Sequence, residues 1–336
     1  SWQTAAMRSA TAFAPASVGN VAVGFDLLGH ALVGAGDRVT VTVADHGTVK
    51  ITAITFAGID PIALPAEAAR NTAGRALLDL LGHLHENGLE AADLGFDIAI
   101  EKGIALGSGM GGSAASAVAA VVAANALLTT ALPIDALYRY AVGGEALASG
   151  AAHGDNVAPM LLGGLTIAPA ISEGIITPVR VPVPKWLHVA LVHPHFVLET
   201  KTARAALAGD YPLSAFVHQS ENLALVLAGL YTNDAGLLRR GLRDGLIEPR
   251  RAPLIPGFSA VKQAALDHGA LGASISGAGP SVFGWFASEA DATRAGAAMA
   301  TAFADAGLPS DVVISPVAAP GAVVEQRNFT ATPGAR

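Results

Sequence analysis

The stretch Leu106-Gly107-Ser108-Gly109-Met110-Gly111-Gly112-Ser113-Ala114-Ala115-Ser116 decides how the rest of the chain is read. It follows an alternating segment, Phe96 to Ile100, that predicts a strand. It opens an alanine- and valine-rich segment, Ser113 to about Thr130, that predicts a helix. Glycines permit positive φ and close backbone approach. A helix N-terminus adds unsatisfied N–H groups and the positive end of a dipole. Together these make a cradle for a phosphate. Three phosphate-loop readings compete. Gly107, Gly109 and Gly112 fit the dinucleotide-binding spacing, but that reading needs a second parallel strand ending in an acid. A second helix, Ile134 to about Ala148, follows here instead. Gly107 to Gly112 also spans the Walker A spacing, yet Ser113 stands where its lysine must be. A lysine-free phosphate loop fits best, because the loop holds more glycine than a ligand-free turn requires.

Around this loop lies the longest charge-free run, Gly103 to Ile134. Its length could span a bilayer. Its glycine-rich start, its Ala/Val content and its lack of aromatic and basic flanks instead predict a buried helix. No membrane association is expected, and Ser1 to Ser9 show no signal-type apolar core. The whole 336-residue chain is 52% hydrophobic and only 14% charged, which excludes general disorder. Twenty-seven acidic residues against 20 basic ones give a net charge of −7, which argues against nucleic-acid binding. With no cysteine, disulfides, thiolate metal sites and cysteine nucleophiles are excluded, and a reducing cytoplasm fits.

Strands are expected at Thr11 to Asn20, Arg38 to Val43 and Val49 to Ala57, and a helix at Ala66 to Leu84. Pro178, Pro182 and Pro184 mark a domain connection, giving expected domains of 1–177 and 178–336. The second half reads as a strand at Leu187 to Val192 and helices near Thr200 to Leu207, Leu213 to Ala228, Ala235 to Gly241 and Phe258 to His268. A strand–glycine turn–strand at Ala273 to Phe286, a helix at Ala290 to Ala306 and a strand at Asp311 to Pro316 follow. The tail after about Gln326 is polar and expected to be mobile. Mixed strands and helices indicate an α/β or α+β enzyme.

The loop resembles the P-x-x-x-G-L-G-S-S-A-A motif of the galactokinase, homoserine kinase, mevalonate kinase and phosphomevalonate kinase (GHMP) superfamily. Ala14-Pro15-Ala16-Ser17-Val18-Gly19-Asn20 with Gly24-Phe25-Asp26-Leu27-Leu28-Gly29 resembles its N-terminal motif. Gly272-Ala273-Ser274-Ile275-Ser276-Gly277-Ala278-Gly279-Pro280-Ser281 resembles its third, glycine-rich motif. Within the superfamily, His153-Gly154-Asp155-Asn156, Thr200-Lys201-Thr202-Ala203-Arg204 and the run Glu248 to Gly257 are most similar to the homoserine kinase branch. Ala105, Met110 and Gly112 replace the motif's proline, leucine and first serine, departures that fall within the loop itself. The resemblance implies an α+β fold of two domains. The N-terminal one is like domain 2 of ribosomal protein S5 and binds ATP; the C-terminal one is ferredoxin-like. The implied reaction is ATP-dependent phosphorylation of L-homoserine, a step toward threonine, and a homodimer is compatible with it.

The resemblance also implies roles. Asn71 and the loop Leu106, Gly107, Ser108, Gly109, Met110, Gly111, Gly112, Ser113, Ala114 and Ala115 would hold ATP, with Ser276, Gly277 and Gly279 in the third motif. Ser113 and Glu145 match the metal pair for Mg²⁺, an ion that takes oxygen ligands. Arg204 and Arg251 match the residues for the substrate carboxylate, which favours a guanidinium fork, and Asp26 the residue for its ammonium. Asn20, His153 and Asp155 match further positions around the amino acid. The proton acceptor stays open between Asp155 and Asn156, and an asparagine cannot take a proton. Asn71 could equally be an ordinary helix cap. The pairs His83/His85 and His193/His195 read as structural or surface residues, since no cysteine or paired carboxylate accompanies them. Two other functions compete: a sister kinase for a mevalonate- or sugar-type alcohol, and a catalytically inactive ligand-binding relative.

Overall fold

A computed structural model describes residues 8–171 and 177–329. Residues 1–7, the first part of the segment read as lacking a signal core, and residues 330–336 of the tail lie outside the described residues. The first half builds β1 (Arg8–Gly19), β2 (Leu28–Ala44), β3 (Val49–Phe56), α1 (Thr72–Glu86), β4 (Gly95–Lys102), α2 (Gly112–Asn125), α3 (Ile134–Ser149), α4 (Val157–Leu162), β5 (Leu165–Ile167) and β6 (Val179–Val181). The second half adds β7 (His188–Pro194), α5 (Thr200–Ala205), α6 (Leu213–Thr232), α7 (Ala235–Gly241), α8 (Glu248–Arg251), α9 (Phe258–Asp267), β8 (Gly272–Ile275), β9 (Val282–Phe286), α10 (Glu289–Asp305), β10 (Ser310–Pro316) and β11 (Val323–Phe329).

Two sheets result. The first runs β11-β1-β2-β4-β3, with β5 and β6 added beside one end of β2. Its pairs are antiparallel except β3 with β4. Helices α1, α2 and α3 pack on one another, and α2 lies on β1 and β2. Small side chains let α2 enter this position, and Ala114, Ala115, Val118 and Val121 are fully buried. The second sheet has the order β10-β7-β9-β8 and is antiparallel throughout. In chain order that is fourth, first, third, second, with helices after its first and third strands, a ferredoxin-like arrangement. Helices α9 and α10 cover one face of it. Its other side joins the core of the first half, where Trp285 Nε1 donates to His30 Nε2 at 3.2 Å. The molecule is thus a two-domain α+β fold, with strands of both sheets running to one cleft.

Three sequence expectations change. The polar tail is paired rather than mobile as far as Phe329, because β11 lies antiparallel along the outer edge of β1. The helix expected to reach Thr130 ends at Asn125, whose side chain turns back to bond Leu132. The proline-rich connection contains β6, which still belongs to the first sheet, and the second sheet begins at β7. Among the described residues, no helix is long and apolar enough to cross a membrane.

Candidate active site

The phosphate loop connects β4 to α2. Gly107, Gly109 and Gly111 adopt φ of 65°, 81° and 76°, the left-handed region in which a side chain is strained. A Cβ on Gly109 would stand 2.4 Å from the Ser276 carbonyl oxygen, and one on Gly111 would stand 2.7 Å from Ser17 Oγ. Gly111 caps α2 without a side chain, so the first amides of the helix are left for a ligand. The second domain fixes the loop from behind. Leu198 N donates to the Gly107 carbonyl (3.1 Å), Ser281 Oγ to that of Ser108 (2.6 Å) and Ser276 Oγ to that of Gly109 (2.7 Å). In a trans peptide the N–H points opposite the C=O. The amides of Ser108 and Gly109 are therefore turned away from these partners, on residues that line a cavity of about 480 Å³. This cradle, which a Cβ would fill, suits a phosphate chain.

One wall of that cavity carries Ser113 and Glu145. Ser113 Oγ donates to Glu145 Oε1 (3.2 Å), and Ser149 Oγ donates to Glu145 Oε2 (3.0 Å). Burial pushes the Glu145 carboxyl up to about 7, against the pull of the Ser149 and Ser113 hydrogen bonds and of Arg204. Hydroxyl and carboxylate form a hard, all-oxygen donor pair, which fits a magnesium ion that takes its remaining ligands from phosphates and water. Asp155 lies deeper. Burial, then the charges of Asp26 and Glu145, raise it to about 7. Its neighbour Asn156 is engaged, because Ser17 Oγ donates to Asn156 Oδ1 at 2.7 Å.

Another part of the same lining carries charge of both signs. Arg204 donates from Nη2 to Asp26 Oδ1 (3.1 Å) and from Nη1 to Asp26 Oδ2 (3.3 Å). His153 Nε2 lies 3.2 Å from Asp26 Oδ2. Asn20 Oδ1 accepts from the Asp26 amide (2.9 Å), while Asn20 Nδ2 donates to the Gly277 carbonyl (3.1 Å). Arg251 is buried and donates from Nε to the Ala203 carbonyl (3.0 Å). Burial, and then the charge of Arg204, lower its pKa. Both guanidinium carbons lie 5.4 Å from the centre of the Phe25 ring. Asp26 and Phe25 sit in a strained loop. Asn20, Val21, Ala22 and Asp26 are four of the five non-glycine residues with positive φ among those described.

The structure therefore gathers Asn20, Asp26, Glu145, His153, Asp155, Asn156, Arg204, Arg251, Gly277, Gly279 and the loop residues Leu106 to Gly109 and Gly111 to Ser113 around one cavity. Ser276 stands behind the loop, holding Gly109. The side chains of Met110, Ala114 and Ala115, expected to hold nucleotide, are in the hydrophobic core, because the loop turns them inward as α2 begins. Asn71 lies elsewhere. It caps α1 by accepting from Ala73 N and Gly74 N, donates to the Pro65 carbonyl, and lines a second cavity of about 250 Å³. That cavity shares Leu106, Ser113 and Ala148 with the first. Sequence reasoning missed Phe25, Ser149 and the buried pair Asp37 and Lys102. Phe25 sits inside a motif already singled out, which was the signal available. The histidine pairs stay outside the cleft: His85 Nε2 pairs with the Leu94 carbonyl and His195 with Asp311.

Comparison with known proteins matches this geometry to a family. The model of the GHMP kinases N terminal domain matches residues 71–164, and that of GHMP kinases C terminal matches residues 226–305. The chain is 57% identical over 316 residues to a homoserine kinase of Xanthomonas campestris pv. campestris (strain B100), covering 94% of each chain. It is 54% identical over 321 residues to one of Xylella fastidiosa (strain 9a5c), covering 95% of each. Among solved structures, homoserine kinase from Cytophaga hutchinsonii ATCC 33406 is 42% identical, with a TM-score of 0.86, over 94% of this chain and 97% of that one. Mevalonate kinase of L. major, at 15% identity and a TM-score of 0.59 over 92% of this chain and 96% of that one, shares the fold.

Proposed function

The chain belongs to the GHMP kinase family and stands among its homoserine kinases, and on that footing we propose how its cleft phosphorylates L-homoserine with ATP. The observation that carries the proposal is the pairing of two walls in one cavity. A phosphate cradle with Ser113 and Glu145 shares its cavity with a charge pair, Asp26 and Arg204, suited to a zwitterion.

In this reading the α-carboxylate of homoserine is held by Arg204 and Arg251, and the ammonium by Asp26 with His153 and Asn20. Arg204 Nε supports it, as a buried donor with no partner among the described residues. The loop amides and the N-terminus of α2 bind the ATP phosphates, and the second cavity, at Asn71, takes the base. Ser113 and Glu145 would hold Mg²⁺, which when bound offsets phosphate charge. The substrate hydroxyl lies against Asp155. Its oxygen forms a bond to the γ-phosphorus as the bond from that phosphorus to the β–γ bridging oxygen breaks, leaving ADP. The hydroxyl proton passes to Asp155, whose raised pKa suits an acceptor near neutral pH. Asn156 keeps the floor of the site in place through Ser17. Catalysis is then mostly positioning and charge stabilisation. The products are ADP and O-phospho-L-homoserine.

A homodimer and a cytoplasmic location enter this reading through the family resemblance and the cysteine-free sequence. Light scattering checks the dimer, and a monomer at working concentration removes it. The main test is ATP turnover with L-homoserine, mevalonate and galactose. Turnover with homoserine alone is expected. Turnover only with the other two would establish a sister kinase, and ATP binding without any phosphorylated alcohol an inactive relative.

A further inference from the structure

Asp37 and Lys102 form the most deeply buried ion pair among the described residues, and it lies beneath the phosphate loop rather than in the cleft. Lys102 ends β4, the strand that enters the loop. Its Nζ donates to Asp37, to the Gly112 carbonyl (2.5 Å) and to Ser116 Oγ (3.1 Å). An ammonium has three N–H donors, so all are used. Although Lys102 lines the second cavity beside Ser113, it has no donor left for a nucleotide.

Asp37, on β2, completes the arrangement. Its Oδ2 also accepts from Ser116 Oγ (2.7 Å). Its Oδ1 accepts from the amides of Gly103 (2.8 Å) and Ile104 (3.3 Å). Gly103 and Ile104 lead into the loop; Gly112 and Ser116 are the first two turns of the helix that leaves it. One carboxylate and one ammonium thus hold both feet of a segment whose glycines impose little conformation of their own. Burial of an ion pair is not by itself a strong source of stability, and a packed apolar pair often serves as well. What an apolar pair cannot do is fix a carbonyl and two amides in direction.

We propose that Asp37 and Lys102 are positioning residues for the phosphoryl donor: they set the separation and tilt of the two ends of the phosphate loop, and neither donates a hydrogen bond to ATP. This rests on the reading that the loop binds the ATP phosphates. It predicts a loss confined to the nucleotide side of the reaction. A role in stability alone would lower the melting temperature and leave both Michaelis constants in place.

The test uses the full chain with Lys102→Met, Asp37→Asn and the double variant Asp37→Leu/Lys102→Met, which leaves no lone buried charge. Steady-state kinetics give KM for ATP and for homoserine, and calorimetry gives ADP affinity. In folded variants, KM for ATP and Kd for ADP should rise about tenfold or more, with homoserine KM within about twofold, as expected when a positioned group is displaced. Unchanged nucleotide constants in a folded variant overturn the proposal. So does a parallel rise in both Michaelis constants. If the single and double variants fail to fold, Ser116→Ala, which removes one hydroxyl from the same network, is judged by the same readings. Failure of the underlying reading looks different: the unmodified protein would then bind no ADP.

Discussion

Arg204 and Asp26 face each other in a two-point ion pair, at 3.1 and 3.3 Å, in the lining of the cavity proposed to hold the amino acid. Each is the natural partner of one end of a zwitterion. A bound amino acid can exchange this one pair for two, its carboxylate taking Arg204 and its ammonium taking Asp26. Asp26→Asn removes the charge and keeps the shape. Hydrogen bonds to charged groups contribute about 1.5–3 kcal/mol, so homoserine KM should rise about 10- to 100-fold with ATP KM little changed. An unaltered homoserine KM rejects the ammonium role.

Phe25 is shared by the two arginines, its ring centre 5.4 Å from each guanidinium carbon. Arg251→Lys keeps the charge but loses the planar fork, and homoserine KM should rise about tenfold or more. Phe25→Leu should raise the same constant by a smaller factor, since both arginines stay but lose their shared support. Kinetics with homoserine and with its carboxylate-free analogue 3-aminopropanol separate the roles. The variants should discriminate far less between the two compounds than the native enzyme does. Undiminished discrimination would count against the carboxylate site.

Two acids raised to about 7 give the site a pH signature. The ordinary values are 4.5 for Glu145 and 3.8 for Asp155, so in the interval up to about 7 the folded protein holds more protons than the unfolded chain. Stability contributed by these groups is complete below the ordinary values and is lost as pH rises through about 7. Activity should move the other way, since in the proposed roles Asp155 as acceptor and Glu145 as metal ligand must both be ionised. Without Mg²⁺, melting temperature should fall between about pH 5 and about pH 8, and Glu145→Gln should flatten part of that fall. Over the upper part of this range kcat should rise, and Asp155→Asn should reduce both kcat and the rise. A native melting curve independent of pH would remove the basis of both expectations.

How much of this was legible before the fold was known follows from where the information sits along the chain. The glycine loop was readable because its cause is local: glycine conformation, then a helix N-terminus, within consecutive residues. Asp26 and Arg204 were each identifiable from their motifs, but their contact spans 178 positions and has no local signature. The partners Asp37 and Lys102, 65 positions apart, had not even a motif to mark them. Met110, Ala114 and Ala115 were assigned to the nucleotide because a motif does not say which side chains turn inward. Strands β5 and β6 were missed because three residues are too few to show alternation.

The loop's own geometry yields a sharper test than its composition. Gly109 has φ of 81° and no room for a Cβ, which would meet the Ser276 carbonyl oxygen at 2.4 Å. Left-handed backbone costs a residue with a Cβ about 1–2 kcal/mol before any clash. Gly109→Ala should therefore push the loop off the third motif and raise ATP KM about tenfold or more, while homoserine KM stays near its native value. Gly82→Ala, in α1 with open space around it, is the control and should leave kinetics unchanged. Equal constants for the two variants would mean that this turn does not shape the phosphate site.

The paired tail makes a prediction opposite to the one its composition suggests. Strand β11 runs along β1 from Arg8 opposite Phe329 to Phe13 opposite Val323, and Arg38 on β2 reaches across to Glu325 with bonds of 2.8 and 3.1 Å. Ending the chain at Ala322 would leave the outer edge of β1 with unpaired N–H and C=O groups, the setting for edge-to-edge association. The same strand delivers Ser17 and Gly19 to the cleft floor, where Ser17 holds Asn156 and the Gly19 carbonyl accepts from Gly277 N. Truncation should lower Tm by roughly 5 °C or more and promote aggregation, measured by thermal melting and light scattering. Glu325→Gln alone should change Tm little, because an exposed ion pair contributes about 0–1 kcal/mol. A truncated chain that melts and scatters like the full one would mean that β11 merely lies on the sheet; a destabilised truncation beside a near-native Glu325→Gln assigns its contribution to backbone pairing.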